Sequence, residues 1–137
     1  MSRGGWALRQ ALYTAITGDA GLQALIGNPP RLYDDVPADG AFPFVTFGDG
    51  VSQDWSTKDS LGAIHTITLH AWSRYEGHKE AQQILEALEA ALQDATLTIT
   101  GHTLVNIRFV SSQIIHDPDG ATTHGVIRFR AVTEPTS

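Results

Sequence analysis

Apolar residues recur at helical spacing in two long stretches of this chain and alternate with polar ones in several shorter runs. Leu8, Ala11, Leu12, Ala15 and Ile16 share one face of a helix predicted over Trp6–Thr17, with Gly18 as its stop. A second short helical turn through Leu22, Leu25 and Ile26 closes at Gly27, and Asn28-Pro29-Pro30 breaks any continuation. The other long stretch places Ala81, Ile84, Leu85, Leu88, Ala91, Leu92 and Ala95 on one face. Glu80, Gln82, Gln83, Glu86 and Glu89 lie on the flanks and outer face. This predicts a helix reaching about Asp94, opened by Ser73-Arg74-Tyr75-Glu76 as a capping box.

Between and after the helices the period changes to two. Arg31–Val36 reads as a short extended piece and Pro37-Ala38-Asp39-Gly40 as a turn. Pro43–Phe47 reads as a strand with proline at its first position. Gly48-Asp49-Gly50 and the polar run Ser52–Ser60 form a long loop or an extended hairpin tip. Ala63–Trp72 is the clearest strand: Ala63, Ile67, Leu69 and Ala71 face one way, Thr66, Thr68 and His70 the other. Leu97–Thr100 is predicted as a short strand ending at Gly101. Leu104–Ile115 is predicted as a long one with Val105, Ile107 and Phe109 inward. After the turn Asp117-Pro118-Asp119-Gly120, Thr123–Val132 completes the set, with Ile127, Phe129 and Ala131 opposite Arg128 and Arg130. The order predicts an α+β fold: a mostly antiparallel β-sheet with two amphipathic helices packed on one face and the other face partly polar. The expected organisation is a single domain over residues 1–133 and a polar, mobile tail over 134–137.

Composition narrows the function. The chain has 137 residues, 42% of them apolar, an ordinary balance for one domain. With no cysteine, disulfides, thiolate nucleophiles and Cys-based zinc sites are excluded. The sequence has neither the apolar region of a signal peptide nor a long apolar run, so the expectation is a cytosolic protein until it joins an assembly, with no membrane partner. A formal net charge of -6 argues against a sequence-independent grip on phosphate backbone.

Catalytic chemistry does not assemble from these residues. His65 and His70 point to opposite faces of one strand and cannot chelate one metal. His116 and His124 flank the Asp-Gly turn and, with Asp117, form a candidate metal site for a small metal-dependent enzyme. Asp117-x-Asp119-Gly120 echoes the start of a calcium loop but lacks its remaining ligands and closing Glu. Ser56, Ser60, Ser111 and Ser112 stand in no nucleophile-elbow context, and Gly48-Asp49-Gly50 lacks the lysine of a phosphate loop. The expectation is no enzyme, no cofactor and no bound metal. Arg108, Arg128 and Arg130 form a candidate basic stripe on the open sheet face. It reads either as a solvated face paired with acids or as a protein–protein contact, with DNA third. Asp49, Ser52, Gln53, Asp54, Trp55 and Ser56 of the polar loop, with Asp117 and Asp119, complete the candidate interface. Trp55 is a large aromatic in a polar setting, either a lid on its own domain or an anchor for a partner.

Three stretches in order resemble the tail-completion family of siphophages: Leu32-Tyr33-Asp34-Asp35-Val36-Pro37 with Phe42-Pro43-Phe44-Val45; Leu69-His70-Ala71-Trp72-Ser73-Arg74; and Gly77, Glu80-Ala81, Ile84, Leu88, Ala91-Leu92, Leu97 and Gly101. The resemblance spans nearly the whole chain, and a strand pair closes it around Asp119-Gly120. It implies a six-fold ring on the head-proximal end of a tail tube, partnered by copies of itself, the tail-tube protein and a head-completion protein. DNA would pass through without specific binding. Assembly would take place in the host cytoplasm and the product would sit in the particle neck of a phage, prophage or gene transfer agent. A head–tail connector or a minor tail-tube protein would share this size and composition.

Overall fold

The computed structural model describes residues 4–38, 40–58, 60–74 and 77–136. Helix α1 (Gly5–Thr17) buries Leu8, Ala11, Leu12 and Ile16, the predicted stripe, and ends at Gly18. Helix α2 (Ala20–Ile26) begins at Asp19, whose carboxylate accepts from the Leu22 N–H at 2.9 Å. It ends at Gly27, whose φ of 99° is open to glycine and strained for other residues. Strands β1 (Leu32–Tyr33), β2 (Phe44–Phe47), β3 (Val51–Asp54) and β4 (Ala63–Ser73) follow. Helix α3 (Gly77–Leu92) and the long strands β5 (His102–His116) and β6 (Thr123–Pro135) complete the chain.

One mixed, mostly antiparallel six-stranded sheet holds them in the order β1-β2-β4-β6-β5, with β3 beside β4 past the end of β2. Among the described residues the single parallel pairing is β1 with β2. Helix α3 lies across β4, β5 and β6, and α1 and α2 pack against α3. The core is therefore one layer of side chains between helices and sheet: Leu12, Ile16, Leu22, Ile26, Leu69, Ile84, Leu85, Leu88, Leu92, Ile107, Ile127 and Phe129 are all fully buried. Gly125 sets the spacing of this layer. A Cβ built there would stand 3.0 to 3.2 Å from the Leu85 side chain, so the missing methyl lets α3 sit close to β6. Gly125→Ala is expected to lower stability by about 1–3 kcal/mol through overpacking. Urea titration measures it, and a variant as stable as the parent would show that α3 can back away freely.

Four expectations change. Leu97–Thr100 is not a strand but an irregular segment with one bridge, Ile99 to His102. Val105 is not inward. The β5–β6 register slips between Leu104 and Asn106, and the bulge turns Val105 out to 45% exposure, while Ile107 is buried and Phe109 partly so. Residues Val51–Asp54, read as loop or hairpin tip, form β3, paired Val51–Thr66 to Asp54–Ala63. The last strand runs past Val132: Glu134 and Pro135, assigned to the tail, pair with Thr103 and His102. The capping contact to Glu76 lies outside the described residues, as do Asp39 and Ser137. Ser73 Oγ does donate to Glu80 Oε1 at 2.5 Å, one turn further into the helix.

Candidate assembly interface

Among the described residues no helix covers the sheet's second face, which divides into two zones. At one end an aromatic group runs across β2, β4 and β6. Phe44 stands beside Trp72, and Trp72 stacks on His124 with centroids 3.9 Å apart and planes 7° from parallel. His70 Nδ1 lies 2.6 Å from His124 Nε2, one ring donating to the other, and the Trp72 indole N–H donates to Thr46 Oγ1 at 3.1 Å. These groups bond to or stack on one another, and His70, Trp72 and His124 are each half-buried.

The other end is open. The register places Thr66, Arg130 and Arg108 in one row across β4, β6 and β5, and Thr68, Arg128 and Ser111 in the next. All three arginines are exposed. Arg108 is 3.8 Å from Asp94, a loose contact between two largely exposed groups. Among the described residues neither Arg128 nor Arg130 has an ion-pair partner. The expected basic stripe thus forms across β5 and β6, and its two members on β6 have no acid paired to them among the described residues.

The hairpin that carries the other candidates lies at the opposite edge. Asp49 is exposed where β2 gives way to β3, and Gln53 is exposed on β3. Asp54 Oδ1 accepts from Ser56 Oγ at 2.7 Å, and Ser56 Oγ accepts from the Gly62 N–H at 3.3 Å, so both side chains shape the tip. Ser52 Oγ is 2.8 Å from His65 Nδ1 and is engaged inward. Trp55 is 47% exposed; its N–H bonds to the Gly62 carbonyl, and its ring edge lies close over Gly62. It is therefore no lid over the core. Asp117 and Asp119 belong to the β5–β6 turn. Asp117 accepts from the Asp119 N–H, and Asp119 from the Ala121 and Thr122 N–H groups and the Thr122 hydroxyl at 2.8 Å each. Those bonds hold the Asp119 carboxyl below its ordinary pKa.

The candidate metal set His116, His124 and Asp117 does not come together. His124 turns to His70 on the open face, whereas His116 Nε2 lies 2.5 Å from His78 Nε2 at the start of α3. Opposite faces of the strand pair separate them, because the register sets His124 against Ile115 and His116 against Thr123. Among the described residues no group of three or more His, Cys, Asp or Glu could hold a metal ion.

His65, passed over in the sequence as a strand histidine, ties three strands. It is 2% exposed on the helix side, between Ser52 Oγ of β3 and Thr133 Oγ1 of β6, the latter 2.9 Å from Nε2. Burial, then His102, lowers its pKa; burial, then Arg128, lowers that of His70 against an opposing Asp49; burial, then His70, lowers that of His124 against an opposing Asp117. The unfolded chain therefore binds more protons below its ordinary histidine pKa of about 6.5. The resulting stability is complete above that pH and is lost as pH falls through it towards the lowered folded values. A falling melting temperature from pH 7.5 to pH 5, reduced in His65→Gln, is expected; a flat profile would mean that these rings protonate in place.

Among the described residues the fold thus presents an exposed arginine face at one side of the sheet and an acidic, aromatic-bearing hairpin at the other. The family described as tail completion protein gp17 matches residues 10–134. The chain belongs to that family. Tail completion protein gp17 of Bacillus phage SPP1 is 37% identical over 92 residues, covering 67% of this chain and 68% of that protein. A chain from the virion of a native gene transfer agent particle superposes with a TM-score of 0.88 at 27% identity, covering 98% of this chain and 99% of that one. Tail completion is a structural and not an enzymatic role.

Proposed function

We propose that this tail completion protein forms a ring that caps the head-proximal end of a tail tube, stops the tube from growing and offers the surface on which the head docks. The observation that carries the reading is the near end-to-end match to a chain of a gene transfer agent virion, 98% of one chain on 99% of the other. The two unneutralised arginines and the exposed Trp55 supply contact groups that the monomer leaves unused. The tail tube and a head-completion protein are the partners in this reading. DNA passes through without specific binding, in keeping with the net charge of -6. Assembly takes place in the host cytoplasm and the product resides in the particle neck.

Electron microscopy of particles made without the protein tests it. Tails of uncontrolled length, or finished tails not joined to heads, are expected. Leaking heads beside normal tails would move the protein to the head–tail connector instead.

A further inference from the structure

The chain's charges are distributed unevenly across its sheet. From Leu32 to Gly62 the sequence has six Asp and one Lys, a formal charge of -5 out of a total of -6. In the fold this segment forms the β1, β2 and β3 side of the sheet, where Asp34 is ion-paired to Arg9 of α1, while Asp35 and Asp49 are exposed and, among the described residues, have no ion-pair partner. The opposite edge, β5 with its neighbour β6, carries Arg108, Arg128 and Arg130 against one acid of its own, Glu134 at the end of β6, with Asp94 loosely beside Arg108. Both edges also expose apolar side chains: Val51, Trp55 and Leu61 on the acidic side, Val105, Val110 and Ile115 on β5, all between 40% and 55% exposed. A second slip in the β5 register, between Phe109 and Ser111, falls at Val110.

We propose that the arginine face of β5 and β6 receives the acidic β1–β3 edge of a second copy, head to tail. This rests on the ring reading above and names the two surfaces that meet within it. A two-fold contact through the arginine face would set three arginines against their own copies, and one through the acidic edge would do the same with carboxylates. Like charges across a contact disfavour both. The heterologous pairing matches opposite charges and covers apolar surface on both sides. Repeated around an axis it closes into a ring, using one surface of each kind per subunit.

Charge reversal in a strain lacking the gene tests the contact. Arg128→Glu with Arg130→Glu is expected to lose tail joining, and so is Asp35→Lys with Asp49→Lys, each variant melting near the parent temperature. Made together, the two variants are expected to restore joining. In an alternating ring every native arginine face then meets a native acidic edge, and every reversed face meets a reversed edge. Failure of two folded variants to complement each other overturns the proposal, as does normal joining by either alone. Loss confined to the arginine variant, with duplex DNA binding lost alongside, overturns it too and assigns the face to DNA. If a double variant does not fold, Arg130→Glu and Asp49→Lys replace the pairs under the same criteria. The strain itself separates this proposal from the reading beneath it: normal tails without the gene refute the terminator, whereas abnormal tails rescued by the arginine variant refute only the contact.

Discussion

Phe129→Ala is expected to cost the fold roughly 3–5 kcal/mol, the range for removing a fully enclosed aromatic ring. Phe129 is 0% exposed at the middle of β6. β6 itself is central, hydrogen-bonded to β4 on one side and β5 on the other, with Ile67 and Phe109 as the register partners of Phe129. The Phe109 ring meets it edge-on at 6.4 Å between centroids, and α3 lies over this part of the sheet. Strands on both sides and a helix above leave little freedom for the site to collapse, so most of the vacated volume should persist as a cavity. Arg130→Ala, one residue on and facing the other way, is the control. Its side chain is exposed, and its loss should change stability by less than about 0.5 kcal/mol. Urea titration of the two variants measures both. Equal midpoints would mean that the alternation along β6 does not divide core from surface as its burial pattern indicates.

That alternation was legible from the sequence because Ile127, Phe129 and Ala131 sit between Arg128 and Arg130, and no other phase hides the apolar set. The α1 and α3 stripes were legible for the same reason. What escaped depends on register, which period alone does not carry. Val105 continues the alternation of Ile107 and Phe109 in the sequence, but an extra residue in β5 reverses its side. Val51–Asp54 has one apolar residue in four and owes its strand to pairing with β4. Glu134 and Pro135 read as a tail because they are polar and a breaker, and pairing with the start of β5 overrides both.

The candidate interface divides in the same way. The arginine stripe follows from local alternation once β5 and β6 are neighbours, as two strands joined by a short turn tend to be. The histidine set failed because two residues close to one turn can project to opposite faces. The roles of Ser52 and Ser56 depend on side-chain bonds across a hairpin, about which the composition of the loop is silent. His65 is the clearest omission. It shares the face of Ala63 and Ile67, and a polar residue in phase with buried ones is itself a signal that a partner waits on another strand.

Trp55→Ala should leave the isolated protein close to its parent in stability and remove its ability to complete tails. Trp55 is 47% exposed and rests on Gly62 within its own hairpin, so truncation opens no cavity in the core. The hairpin backbone should survive, because the bonds from the Trp55 N–H to the Gly62 carbonyl and from the Thr57 N–H to the Ser60 carbonyl do not involve the ring. In a contact the same ring would be an anchor. A tryptophan enclosed at an interface is commonly worth about 2–4 kcal/mol, and a closed ring incurs that loss at every subunit boundary. The arginine and aspartate variants differ from it in kind. Their contribution is electrostatic, so moderate salt should mimic their loss, whereas the loss of an apolar anchor should be nearly independent of salt. Melting curves and tail joining at two ionic strengths separate the roles. A large fall in melting temperature with joining retained would return Trp55 to the scaffold. Unchanged melting together with unchanged joining would remove the hairpin tip from the interface altogether, and the contact would then have to be carried by the edge strands and their charges.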